Sequence, residues 1–218
     1  MFKLLGALMV SLPLMAQAAP SPNLVVNGGF ESNLLGRGSW AVFAAAQNSR
    51  TDRSEAVEGW RLVQGRGIEL RDSVEGAAHE GENYVELDSH GNARMAQDFL
   101  GLKAGQRLDL SFWYSPRKGV VADSNTIQVY WNGKALTLDG ITASGQGLRA
   151  HDWKEHDFSV LAQDGRNTLE FAAIGRSDSL GGSLDQVSLS HHVPEPVSLA
   201  LLLPALVAGG WVTRRRRA

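Results

Sequence analysis

The stretch "LDLSFWYS" at 108–115 decides the fold class. Leu108, Leu110, Phe112 and Tyr114 alternate with Asp109, Ser111, Trp113 and Ser115. A period of two belongs to a strand that turns one face to a core. Downstream, "NTIQVYWNGKAL" reads as a hairpin, with Ile127, Val129 and Trp131 alternating with Gln128 and Tyr130. Asn132-Gly133 supplies the type I′ turn that suits antiparallel strands. Similar short runs appear at 23–30, 59–65, 67–72, 83–88, 94–100, 154–162, 167–175 and 183–191, separated by Gly, Asn, Asp and Ser. No long stretch carries a helical period, and the segment 32–58 reads as a long loop or a short helix. About ten short antiparallel strands predict an all-β domain over 23–191, an antiparallel β-sandwich of the jelly-roll kind.

Both ends carry a different kind of sequence. "MFKLLGALMVSLPLMAQAAP" has Lys3, an apolar run from Leu4 to Met15 and then Ala16-Gln17-Ala18. That order is a secretory signal peptide over 1–18, with an apolar helical centre and an A-x-A cleavage site. At the other end stands "VPEPVSLALLLPALVAGGWVTRRRRA". The run 197–213 is 17 residues long, at the lower edge of what spans a bilayer as a helix. Arg214, Arg215, Arg216 and Arg217 resist translocation and keep the extreme end cytoplasmic, while the signal peptide sends the domain outward.

Without Lys3 and the four terminal arginines, 16 basic residues face 23 acidic ones, Glu195 of the tail among them, so the processed product carries about −7. An acidic surface argues against nucleic acid and anionic lipid as partners, and it suits cations or neutral polymers. The chain has no cysteine, so disulfides play no part although export is expected.

The tail resembles the PEP-CTERM sorting signal of Gram-negative bacteria, over 192–218. Its three parts stand here as Pro194-Glu195-Pro196, the hydrophobic segment 197–213 and the cluster 214–217. The resemblance implies recognition by exosortase after the secretion machinery has done its work, with the inner membrane holding the chain transiently. Processing near the Pro-Glu-Pro triplet, which proline keeps extended, would deliver the protein to the cell envelope, cell surface or extracellular matrix. The family is associated with exopolysaccharide and biofilm. The middle resembles a second family. "NLVVNGGFES", Gly59-Trp60, "YVELDSHGNARMAQDF", "LSFWYS", "IQVYWNG" and "GGSLDQVSLS" follow one another as in the galactose-binding-like jelly rolls of carbohydrate-binding modules.

That second resemblance implies a structural calcium where the first and last strands meet, with Glu31 and Asp185 at the matching positions and Asp88 as a further candidate. Calcium takes hard oxygen ligands, and two acids brought together would repel without a cation. It also implies polysaccharide binding on exposed aromatic rings, for which Trp40, Trp113, Tyr130, Trp131 and Trp153 are the candidates. Large aromatics also fill cores, so each has a competing structural role.

No catalytic signature emerges. There is no G-x-S-x-G elbow, and "GRSDSLGGSLD" at 175–185 reads as a turn before the last strand. The six histidines (His79, His90, His151, His156, His191, His192) show no metal-ligand spacing. The sequence therefore points to a non-enzymatic surface protein. An adhesion protein binding other proteins and a surface glycoside hydrolase are the alternatives.

Overall fold

A computed structural model describes residues 21–45, 50–137 and 141–193, in which Pro22–His192 forms a compact unit. Among the described residues eleven strands build two antiparallel sheets. The first sheet runs β1 (Trp40–Phe43), β3 (Ile68–Asp72), β4 (Asn83–Glu86), β11 (Ser183–His191), β6 (Arg107–Ser115) and β9 (Lys154–Leu161). The second runs β2 (Arg61–Gln64), β5 (Arg94–Leu102), β10 (Gly165–Ala173), β7 (Ile127–Trp131) and β8 (Lys134–Leu136). Among the described residues there is no helix, and hence none long and apolar enough to cross a membrane. The signal peptide at 1–18 and the tail motifs at 194–196, 197–213 and 214–217 lie outside the described residues.

The core sits between the sheets. Leu108, Leu110, Phe112 and Tyr114 of β6 are all buried on the inner side, facing Val129, Leu169 and Phe171 from the other sheet. Phe112 meets Phe171 edge-on at 5.2 Å, the geometry that ring quadrupoles favour. Asn132 and Gly133 both hold positive φ, 51° and 75°, as the type I′ turn between β7 and β8 requires.

Two local expectations are corrected. Residues 23–30 form a turn instead of a strand, because Asn27 and Phe30 adopt φ of 53° and 61° and break the extended run. The Asn23 side chain supplements two backbone hydrogen bonds, Leu24 N–H to Leu189 O and Val187 N–H to Gly28 O. Its Oδ1 accepts the Leu189 N–H and its Nδ2 donates to Val187 O, which stitches the segment to β11. The segment 32–58 contains strand β1, paired to β3 from Trp40↔Arg71 to Phe43↔Ile68. Its alternation was obscured because Ala41, Val42 and Phe43 are buried on both faces.

Candidate functional site

Glu31 and Asp185 converge on one loop. The loop before β4 crosses the outer face of the first sheet, where Asp185 stands beside Trp113. Asp185 Oδ2 accepts the N–H groups of His79 (2.8 Å) and Glu80 (3.0 Å), and Oδ1 accepts that of Gln186. Glu31 Oε1 accepts from Glu82 (2.9 Å) and Asn83 (2.8 Å). Gly81, at φ 65°, lets the loop close on Glu31, since a Cβ there would collide with that carboxylate. Burial pushes the Asp185 carboxyl up to about 7; three backbone donors pull it down and the Glu31 charge adds to the rise.

These residues fit a hard cation in part. Gln186 Oε1, next to Asp185 on a bulge, is buried with no hydrogen-bond partner. Calcium accepts carboxylate, amide and carbonyl oxygens together, so Glu31, Asp185 and Gln186 form a suitable donor set. Among the described residues no three His, Asp or Glu side chains gather into a metal cluster. Asp88 does not join this pair. It lies beyond the other end of β4, where its carboxylate caps residues 178–180.

The candidate aromatics separate into different environments. Trp113 and Trp153 come together, but they fasten the same loop: Trp113 stacks on His79 at 3.7 Å, and Trp153 Nε1 donates to Ala77 O. His151 Nδ1 also bonds Ala77 O, and its ring lies edge-on to Tyr84. Burial holds the His151 imidazole below its ordinary pKa, and likewise that of His156, which stacks on Phe112 in the core. Trp131 is a correction. It points inward, is 5% exposed and donates its indole N–H to Leu161 O, so it presents no ring face to a ligand. Trp40 stands alone on the edge strand β1 at 37% exposure.

Tyr130 faces outward from β7, between the central strand β10 and the edge strand β8 of the second sheet. Register aligns Arg61, Ala96, Glu170, Tyr130 and Ala135 in one row across all five strands. Ala96 and Ala172 point outward yet are 0% and 2% exposed, so they form a floor between taller neighbours. Arg94 lies over the Tyr130 ring at 4.6 Å and contacts Glu170 at 3.3 Å. Its Nε is buried with no hydrogen-bond partner. Asp98, on the same face, is held below its ordinary pKa by Thr168, Arg61 and Arg166 despite some burial. Sequence reading found Tyr130 but missed Arg94, Glu170 and the alanine floor, because only register brings them together.

A buried ionic network also escaped the sequence. Arg71 bonds Glu69 and Glu86, each at 2.5 Å, and Arg117 reaches Glu86 at 3.1 Å and Glu75 at 3.3 Å. Burial pushes Glu86 up to about 8, with Glu69 adding to the rise and Arg71 and Arg117 opposing it. The signal was present in "IELRD", which alternates correctly but carries charges on a face that loops then cover.

No family model matches the chain. It is similar to the multifunctional-autoprocessing repeats-in-toxin of Vibrio cholerae, 30% identical over 167 residues, which is 77% of this chain and 3% of that protein. The protein of the same name from Vibrio vulnificus is 30% identical over 169 residues, again 77% of this chain and 3% of its length. The chain thus spans about 3% of the curated relatives it matches. Among solved structures it is similar to a family 61 carbohydrate-binding module in complex with β-1,4-galactotriose, at 17% identity and TM-score 0.48, covering 79% of this chain and 100% of that one.

Proposed function

We propose that the chain is an exported, non-catalytic polysaccharide-binding module, sorted by exosortase through its Pro194-Glu195-Pro196 tail to the cell surface or matrix. The observation that carries the binding reading is the outer face of the second sheet. A sunken alanine floor carries one aromatic ring, and beside it stands an arginine with an unused, buried donor. Sugars offer an apolar ring face and a rim of hydroxyls. Tyr130 would take the ring face, the exposed part of the Arg94 guanidinium would donate to a hydroxyl oxygen, and Glu170 and Asp98 would accept from hydroxyl protons. Such a site binds with a few placed polar groups around an apolar platform. The structural role of calcium at Glu31, Asp185 and Gln186 belongs to the same proposal, as a clamp on the loop before β4.

Glycan-array and polysaccharide pull-down measurements on the unit Pro22–His192 test it. Tyr130→Ala and Arg94→Ala should each weaken binding by about thirtyfold, the scale of truncating a central contact. Trp40→Ala should leave it unchanged. Failure to bind any polymer, the producing cell's own exopolysaccharide included, would sink the reading.

A further inference from the structure

The chain enters and leaves the sandwich at one end. The Leu24 N–H donates to Leu189 O at 2.7 Å, which puts the entering segment beside the last residues of β11. β11 ends at His191, and the His192 N–H donates to Arg107 O at 3.1 Å, at the start of β6. Two loops frame this exit, 102–107 between β5 and β6 and 161–166 between β9 and β10. They are tied to one another. The Gly105 N–H donates to Ala162 O and the Ala162 N–H to Gln106 O, both at 2.9 Å, while the Ala104 N–H reaches Asp164 Oδ1 at 3.1 Å. The exit end is therefore a braced platform.

That platform exposes apolar side chains from both sheets. Leu100 of β5 is 74% exposed and Leu161 of β9 is 58% exposed, and Val26 and Val193 stand out beside the entering and leaving segments. Leu24, Val26, Leu100 and Leu102 line one open groove of about 420 Å³. Lys103, Arg107 and Arg166 are exposed around them. Lys134 belongs to the same end, because its partner across the hairpin, Trp131, bonds Leu161 O. The acids here are already engaged: Asp98 with Arg61 and Arg166, Asp109 with His192, Asp164 with the Ala104 N–H. The net acidity that argues against lipid contact for the domain as a whole does not describe this end.

Chain length names the occupant. Only residues 193–196 separate His192 from the apolar run 197–213, and four residues reach at most about 14 Å. Strands of nine residues such as β6 and β11 set the opposite end about 30 Å farther away. That end exposes Val121 and Leu148 as well, but no chain leaves there. We infer that the exit end, through Leu100, Leu161, Lys103 and Arg166, docks on a bilayer surface containing anionic lipid while the tail is held in that bilayer. The inference rests on the reading of 197–213 as a membrane span. Leucines would enter the headgroup boundary and the cations would meet lipid phosphates, the two terms that hold peripheral surfaces on membranes. Docking stands the strands upright on the membrane and leaves Tyr130, on the outer face of the second sheet, open to polymer.

The chain has no cysteine, so Leu100→Cys or Leu161→Cys gives a single site for an environment-sensitive fluorophore. Each labelled full chain is reconstituted into phosphatidylethanolamine–phosphatidylglycerol vesicles carrying a trace of doxyl-labelled lipid, with Val121→Cys as the control at the opposite end. Labels at 100 and 161 should shift to the blue and be quenched by the doxyl lipid, and the label at 121 should not. Removing two charges, Lys103→Gln/Arg166→Gln, should lower the docked-to-undocked ratio about thirtyfold in these vesicles and leave it unchanged in phosphatidylcholine alone. An unchanged ratio in the anionic vesicles overturns the inference. A blue-shifted label that doxyl lipid does not quench means that this end pairs with a second copy, and overturns it too. A chain that fails to insert overturns the tail reading and the inference with it. Insertion with labels at 100 and 161 no more quenched than at 121 overturns the inference alone.

Discussion

Replacing Asp185 by Asn separates the acid's two roles. In the folded chain burial pushes its carboxyl to about 7, against an ordinary value of 3.8. A raised acid holds its proton more tightly when folded, so its contribution to stability is complete below pH 4 and is lost as pH rises through 7. About three pH units amount to roughly 4 kcal/mol, lost over that window in the absence of divalent cations. Asp185→Asn cannot titrate, so it lacks this loss. It also has one acceptor oxygen in place of two. Keeping the His79 and Glu80 N–H groups, it would leave the Gln186 N–H facing an amide NH₂, at a cost of about 1–3 kcal/mol. The variant should therefore be weaker near pH 4 and equal or stronger near pH 8, the two curves crossing roughly between pH 4.5 and 6. Urea unfolding followed by tryptophan fluorescence in EDTA, every half pH unit, reads the difference; groups common to both proteins cancel. A difference that stays constant across the range refutes the placement of Asp185 as a buried, proton-holding carboxyl.

Other outcomes follow from the same geometry. Chelation should lower the melting temperature of the unsubstituted chain, more at pH 8 than at pH 5, and Glu31→Ala or Asp185→Ala should reduce that sensitivity; identical melting with and without chelator removes calcium from the loop before β4. Arg71→Leu should destabilise by about 3–5 kcal/mol in denaturant titration, because it strands Glu69 and Glu86 in a buried setting; a loss below about 1 kcal/mol would mean that water reaches them. His156 is held neutral by burial, so stability is lost as pH falls below its ordinary value near 6.5, and His156→Leu should flatten that acid limb. Tyr114→Phe should cost about 1–3 kcal/mol, since the buried hydroxyl donates to Asn125 O and leaves that carbonyl unpaired when removed.

Ten of the eleven strands among the described residues lie where alternation and turn residues put them, and β6 contains the whole of "LDLSFWYS", beginning one residue earlier at Arg107. Local chemistry suffices there because period two and an Asn-Gly turn act over a few residues. It failed for β1, where burial on both faces erased the alternation, and for residues 23–30, where positive φ at Asn27 and Phe30 breaks the extended run. The expectation that Glu31 and Asp185 lie near one another came from the family resemblance and not from spacing, and the loop before β4 that receives both carboxylates was not foreseen.

By itself, then, the sequence determined the all-β class, the approximate places of most strands and the acidic charge of the domain, since each depends on neighbours along the chain. Tertiary structure alone decided which aromatics are available. Trp131 and Tyr130 are adjacent on β7, yet the pleat sends one into the core and the other onto an outer face. It alone decided that Trp113 and Trp153 clamp a loop, that Arg94 meets Tyr130, and that Asp88 belongs with Asp178 across 90 residues of chain. Those pairings are set by strand register and loop closure, which carry no mark within any short window of sequence.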